Sequence, residues 1–342
     1  MTSVVIVDWL GRGGIAQTTQ EWAAALGGTD HEVAVVTRGG RELAGLAAPN
    51  ASGRIRAHRA VASYAAQVID ERQPDVVVVQ NYVIPPLEHA VYVAAARVGA
   101  RVVVAIHDHR LHSLAAGNRL GLRRALRRAD AVIAHSRYVA DAVAAWTGRA
   151  VTPLPLPIFH ALVDAPAPAH PPFVRDADRR LAVHFGILKR GYKGTQTILD
   201  AAAQRPPGWR FGFLGVGSPA ATTGVEVVSG YVDNDVLAAA VRASDATLLP
   251  YRIATQSGAV VVAQALGSVP VASAVGGIPE QIEHGTTGLL LAPNATTNGW
   301  LDALEMLRDD RRRCAMAAKA RIHVQEQHDV FVAGVRKLVG GG

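Results

Sequence analysis

Along the chain, apolar runs of strand length alternate with longer stretches of helical period, the pattern of βα units around a parallel sheet. In the first half the runs are SVVIVDW, HEVAVVTR, DVVVVQN, RVVVAIHD and AVIAHS. Helix candidates lie between them: IAQTTQEWAAALGG, stopped by Gly27 and Gly28, and AVASYAAQVIDERQ, which ends before Pro74. The second half repeats the scheme with RLAVHFGI, WRFGFLGVG, ATLLPY, VPVASA and GLLLAP. Strands so free of charge and so rich in β-branched residues belong to sheets covered by helices on both faces. The halves are separated by TPLPLPIFHALVDAPAPAHPP, whose Pro/Ala content reads as a linker. The expected division is a Rossmann-like domain over 1–155, a linker over 156–172, a second Rossmann-like domain over 173–330, and a last helix over 331–342. Two doubly wound domains place ligands in a cleft at the carboxyl ends of their strands.

Length agrees with this division, since 342 residues exceed one ordinary core. Hydrophobic residues make up 49% and charged residues 18%, which excludes a disordered chain. The stretch from Arg252 to Glu280 lacks charge between its ends, but Gly258, Gly267, Pro270, Gly276 and Gly277 cut it into a short helix, a strand and a turn, so it does not read as a membrane span. Cys314 is the only cysteine, which rules out an intrachain disulfide and a cysteine-built zinc site. The start, MTSVVIVDWLGRGG, carries no basic region ahead of its apolar run, and the expectation is a cytoplasmic protein. Net charge is +7, carried almost wholly by arginine, so the four lysines, at 189, 193, 319 and 337, stand out. Arg119, Arg123, Arg124, Arg127 and Arg128 fall on one predicted helix, which reads either as a solvated face or as peripheral contact with an anionic membrane at the inner face of the cell. Aromatics are only 5% and no aromatic–basic module is present, so nucleic acid is not expected as a partner.

Four segments carry candidate chemistry. Gly11-Arg12-Gly13-Gly14 follows the first strand and opens a helix, where bare N–H groups meet a phosphate or simply make a tight turn. It is not GxGxxG, and HEVAVVTRGG ends without an acidic residue for a ribose, which argues against a dinucleotide cofactor. His107, Asp108, His109 and His112 follow the fourth strand; no partner pattern completes a metal set, and a histidine there is placed to touch substrate hydroxyls or a departing phosphate. FGILKRGYKG gathers Lys189, Arg190 and Lys193 on a glycine-flanked loop, an arrangement suited to a pyrophosphate. Finally, Ser257 and Gly258 begin a helix able to bind a diphosphate, and Gly276, Gly277 and Glu280 follow the next strand; Glu280 reads as a hydroxyl ligand or a helix-dipole partner.

Taken in order, these residues resemble the family 4 glycosyltransferases. The matching elements are Gly13-Gly14, His107-Asp108, the loop with Gly186, Leu188, Tyr192, Lys193 and Gly194, Gly230-Tyr231-Val232, LLPY, Ser257-Gly258, Pro270-Val271, VGGIPE and GTTGLLL. The resemblance implies an α/β GT-B fold, two Rossmann-like domains facing each other across a cleft, with the acceptor on the N-terminal domain, the nucleotide sugar on the C-terminal one, and the last helix crossing back. It also implies transfer of a sugar from a nucleoside diphosphate to a hydroxyl acceptor, with retention of configuration and no metal. In the roles so implied, Lys193 with Arg190 or Lys189 neutralises the leaving diphosphate, helped by the N–H groups of Ser257, Gly258 and Gly14. His107 lies by the donor sugar, Tyr231 and Val232 by the base, and Glu280, Gln256 or Gln264 on sugar or ribose hydroxyls. Gly13 and Gly277 complete the donor set. The chain departs from the family where Ile187 replaces an arginine, and where Thr255 and Ala263 replace a pair of glutamates; Gln256 and Gln264 keep the same separation. These departures leave two alternatives open, a non-catalytic nucleotide-sugar-binding or partner subunit, and a nucleotide-sugar epimerase on the same fold.

Overall fold

A computed structural model describes residues 1–28, 31–38, 45–80, 84–108 and 117–340, with the backbone alone at 85 and 117–121. The chain forms two units, one of Met1–Pro157 with Asp329–Gly342, the other Ile158–His328. Each is built on a wholly parallel sheet.

The first unit runs β1 (Thr2–Asp8), α1 (Gly13–Leu26), β2 (His31–Thr37), β3 (Leu46–Ala47), α2 (Arg54–Arg72), β4 (Val76–Gln80), α3 (Pro85–Val98), β5 (Arg101–Ile106), α4 (Gly117–Arg128), β6 (Ala131–Ala134), α5 (Arg137–Thr147) and β7 (Thr152–Pro153). Its strand order is β3-β2-β1-β4-β5-β6-β7. Alternate residues of β1 enter opposite cores: Val5 and Val7 go with the valines of α2 and β4, Val4 and Ile6 with Trp22 and Leu26 of α1. Helix ends follow local chemistry. Pro85 starts α3, Gly99 ends it at φ 74°, and the Ser136 hydroxyl accepts from the Val139 N–H at the start of α5.

The second unit contains α6 (His160–Val163), β8 (Arg180–Ile187), α7 (Thr195–Ala203), β9 (Trp209–Val216), β10 (Val225–Ser229), α8 (Asn234–Ala243), β11 (Ala246–Leu249), α9 (Gly258–Leu266), β12 (Val269–Ser273), β13 (Leu289–Leu291), α10 (Thr297–Met306) and the first part of α11 (Asp310–Gly340). The order β10-β9-β8-β11-β12-β13 reproduces the Rossmann arrangement, as the first sheet does apart from its extra edge strand. The order reverses between β1 and β4 in one sheet and between β8 and β11 in the other, and the loops that follow these strands are where such folds hold ligands. None of the described helices is long and apolar enough to cross a membrane.

Two features differ from the sequence reading. The stretch 156–172, expected as a linker, is partly built into the second unit: Phe159 and Leu162 are buried beneath β8, α8 and α9, and Asn234 and Arg242 donate to the carbonyls of Ala161 and Val163. Its proline and alanine content disguises two large apolar anchors. Second, the last helix, expected over 331–342, already starts at Asp310 in the second unit; its segment from Asp329 onward counts with the first unit, the side to which the resemblance implied it would cross. There Phe331, Val335 and Val339 are buried against Trp22 and Leu154, with the Phe331 ring 6.0 Å from Trp22 and 6.3 Å from His135. Removing that ring, by Phe331→Ala, should destabilise the first unit by about 3–5 kcal/mol, seen as a lower urea midpoint.

Candidate functional site

In the first unit the turn after β1 is shaped from below. The buried Asp8 carboxylate accepts from the N–H groups of Leu10 (2.8 Å) and Gly11 (2.9 Å) and from the Thr19 hydroxyl (3.0 Å). Burial raises its pKa, partly offset by those bonds. Gly13 opens α1 at φ 68°, a conformation that favours glycine, and a Cβ on Gly13 or Gly14 would meet nothing within 4 Å. Both glycines are exposed at the helix start, the place the sequence assigned them.

His107 follows β5 and is 7% exposed. Its Nε2–H donates to Gln80 Oε1 at 3.0 Å, and its ring lies 4.6 Å from that of His135, which donates through Nδ1 to the Leu154 carbonyl at 3.2 Å. Burial, then the neighbouring His135, push His107 well below the usual histidine value; burial takes His135 to about 4. The pair is therefore neutral at pH 7, and His107 acts as a hydrogen-bonding group, not a cation. His109, His112 and the side chain of Arg119 lie outside the described residues; Arg123, Arg124, Arg127 and Arg128 are exposed on α4.

In the second unit the basic loop folds back on the loop after β11. Lys193 ends a 3-10 turn, Gly191–Lys193, and its Nζ donates to the Tyr251 hydroxyl at 2.7 Å while standing 3.9 Å from the centre of that ring. The backbones meet alongside: Arg252 N–H donates to the Tyr192 carbonyl (2.8 Å), and a Cβ on Gly194 would stand 1.9 Å from the Pro250 oxygen. Gly186, at φ 119°, a conformation that favours glycine, lies beside the ammonium: a Cβ there would be in ordinary contact with Nζ, at 3.7 Å. Lys189 and Arg190 are exposed on the same loop, and Tyr231 is exposed at 67% with Val232 half-buried beside α8. Beneath the loop, His184 donates through Nδ1 to Leu248 (2.8 Å) and has Nε2 3.1 Å from the Thr195 hydroxyl; burial takes it to about 4.

A second joint ties α9 to the turn after β12. The Gln281 side chain accepts from the Ser257 N–H (2.8 Å) and donates to the Ser257 carbonyl (3.1 Å), while Gln264 donates to the Gln281 carbonyl (2.9 Å). Gly277 N–H donates to Thr255 at 3.1 Å, and Glu280 is exposed at the end of the 3-10 turn Ile278–Glu280. This corrects two expectations. The Ser257 N–H, assigned to a diphosphate, is already taken by Gln281. Gln264, assigned to a hydroxyl, is 2% exposed and holds the turn in place. Gly258 keeps its place at the start of α9, but a Cβ there would come within 2.7 Å of the Phe159 ring, so its small size serves packing as well. Gln256 is half-buried two residues before the helix. Sequence reasoning missed Tyr251, Gln281 and His184; only the LLPY match touched one of them.

The sheet orders, with glycine turns and cations at the carboxyl ends, define an α/β nucleotide-binding class of protein. The chain matches Glycosyltransferase Family 4 over residues 12–164 and Glycosyl transferases group 1 over 179–310. It belongs to the family 4 glycosyltransferases and has the GT-B fold. Among solved structures, Anabaena HepE in complex with UDP and glucose superposes with a TM-score of 0.76 at 18% identity, covering 100% of both chains. A glycosyltransferase from Rickettsia africae gives 0.75 at 14% identity, over 100% of this chain and 99% of that one. The sucrose-phosphate synthase of Thermosynechococcus elongatus gives 0.73 at 16%, over 99% and 98%. No protein of curated function matches the chain in sequence.

The buried histidines make stability depend on pH with a defined sign. Unfolded histidines take up protons near 6.5, whereas His135 and His184 in the fold resist protonation down to about 4. The unfolded state therefore binds more protons within that window, and stability falls as pH drops from 6.5 toward 4. Urea midpoints measured at pH 7.5, 5.5 and 4.5 should decline in that order.

Proposed function

We propose that the chain is a retaining glycosyltransferase that moves a sugar from a nucleoside diphosphate to a hydroxyl acceptor without a metal ion. The observation that carries this reading is the Lys193 ammonium held between the loops that follow β8 and β11, where the strand order reverses. Breaking the bond from the anomeric carbon to the diphosphate leaves negative charge on phosphate oxygens, and fixed cations placed there lower the barrier more than any other single contribution. Lys193 is the fixed cation; Arg190 and Lys189, exposed on the same loop, add to it. The N–H groups at the starts of α9 and α1, from Gly258 and Gly14, complete the anion contacts. With Ser257 engaged by Gln281, its backbone is removed from that set, and with Gln264 engaged, Gln256 and Glu280 carry the hydroxyl contacts. His107, neutral, hydrogen-bonds a sugar hydroxyl; Tyr231 and Val232 border the base. Gly13 and Gly277 shape the two turns. UDP is the first nucleotide to test, because the HepE structures contain UDP and UDP-glucose.

The test is a thermal-shift panel of UDP, GDP, dTDP, ADP and their sugar conjugates, on wild type and Lys193→Ala, with and without chelator. One base class should raise the melting temperature of wild type, insensitive to chelator, while Lys193→Ala loses at least tenfold in affinity, the size of a charge-assisted contact of ~1.5–3 kcal/mol. Product from the stabilising donor should keep the anomeric configuration by proton NMR. Binding without turnover against a panel of hydroxyl acceptors would favour the binding-subunit alternative, and absence of any nucleotide shift would overturn the reading.

A further inference from the structure

The lysine at the centre of the donor loop has an unusual partner. Where a lysine ammonium is fixed by a side chain, a carboxylate is the strongest partner, yet among the described residues no carboxylate lies within ion-pair distance of Lys193. Its partner is Tyr251, which offers both a hydroxyl oxygen, 2.7 Å away, and a ring face, 3.9 Å away. The ring is itself fixed: Tyr251 is 3% exposed and lies in a cluster with Leu249, Val260, Ala272, Ile278 and Ile282. That cluster also underlies α9 and the Gly276-Gly277 turn, so one apolar base supports both joints of the site.

We propose that Tyr251 is a positioning residue that seats the Lys193 ammonium for the donor diphosphate. A neutral seat has a consequence that a carboxylate seat lacks. A carboxylate would cancel the lysine charge and compete with the phosphate for it, whereas a phenol and its π-face orient the ammonium and leave its full unit charge to an incoming anion. The ammonium has three N–H donors; the Tyr251 oxygen uses one, leaving two for phosphate oxygens. The proposal rests on the donor-site reading above and adds to it the group that sets the lysine's place.

The seat and its use are tested separately. With all lysines reductively dimethylated with carbon-13, the Lys193 methyl resonance should be shifted upfield of the other three by the ring, remain shifted in Tyr251→Phe, and return to the ordinary position in Tyr251→Leu. On unmodified protein, Tyr251→Phe should weaken binding of the stabilising nucleoside diphosphate roughly tenfold while leaving the acceptor KM unchanged. In a Lys193→Ala background the same substitution should change affinity less than about twofold, the signature of one group acting through another. An unshifted Lys193 resonance, or equal losses from Tyr251→Phe in both backgrounds, would overturn the proposal, since a merely structural tyrosine costs the same with or without the lysine. If wild type binds no nucleotide although the resonance is shifted, the donor-site reading has failed, and the tyrosine's role toward a diphosphate fails with it.

Discussion

The second unit's site depends on a contact that no side chain can enter, the approach of Gly194 to the Pro250 carbonyl. With a Cβ at Gly194 the two atoms would be 1.9 Å apart, and its φ of 66° already favours glycine. Because of that approach, the loops on either side of the strand-order reversal behave as one piece. There Lys193 donates to Tyr251, Arg252 meets Tyr192 through the backbone, and α7 starts directly from the junction. Preorganisation of this kind matters because a charge that must be gathered from a mobile chain loses much of its stabilisation to the entropy of ordering.

The other joint uses amides where acidic residues would be the simpler choice. Gln281 both accepts from and donates to Ser257, a double role that a carboxylate cannot fill because it has no donor. Gln264 extends the same neutral chain into the core. Around the start of α9 the backbone is thus fixed through neutral side chains, as the lysine's own partner is uncharged.

The doubly wound architecture was legible because uncharged, β-branched runs have few other uses, and the alternation with helical segments fixes parallel pairing. Three of the four edge strands were not. Leu46–Ala47 and Thr152–Pro153 are two residues each, and Val225–Ser229 carries Glu226, which pairs with Arg210, so its half-buried pattern lacks the apolar signature. Lys193 was legible against an arginine-rich background. Tyr251 was read as the end of a strand, Gln281 was not singled out and Gln264 was given to a hydroxyl, because an amide's task is decided by which backbone groups arrive beside it after folding. The stretch around Phe159 shows the converse, where proline and alanine content hid residues that belong to a core.

The division of α11 between the units bears on the order in which the protein is made. The first unit's sheet emerges from the ribosome early, but Phe331, Val335 and Val339, which complete the core around Trp22 and Leu154, are joined only after the whole of the second unit. Throughout synthesis of the second unit, the amino-terminal sheet waits with one apolar face only partly covered, by α1 alone, a nascent surface for chaperones. A chain cut short within its final helix would leave the older half of the molecule, not the newer, incomplete.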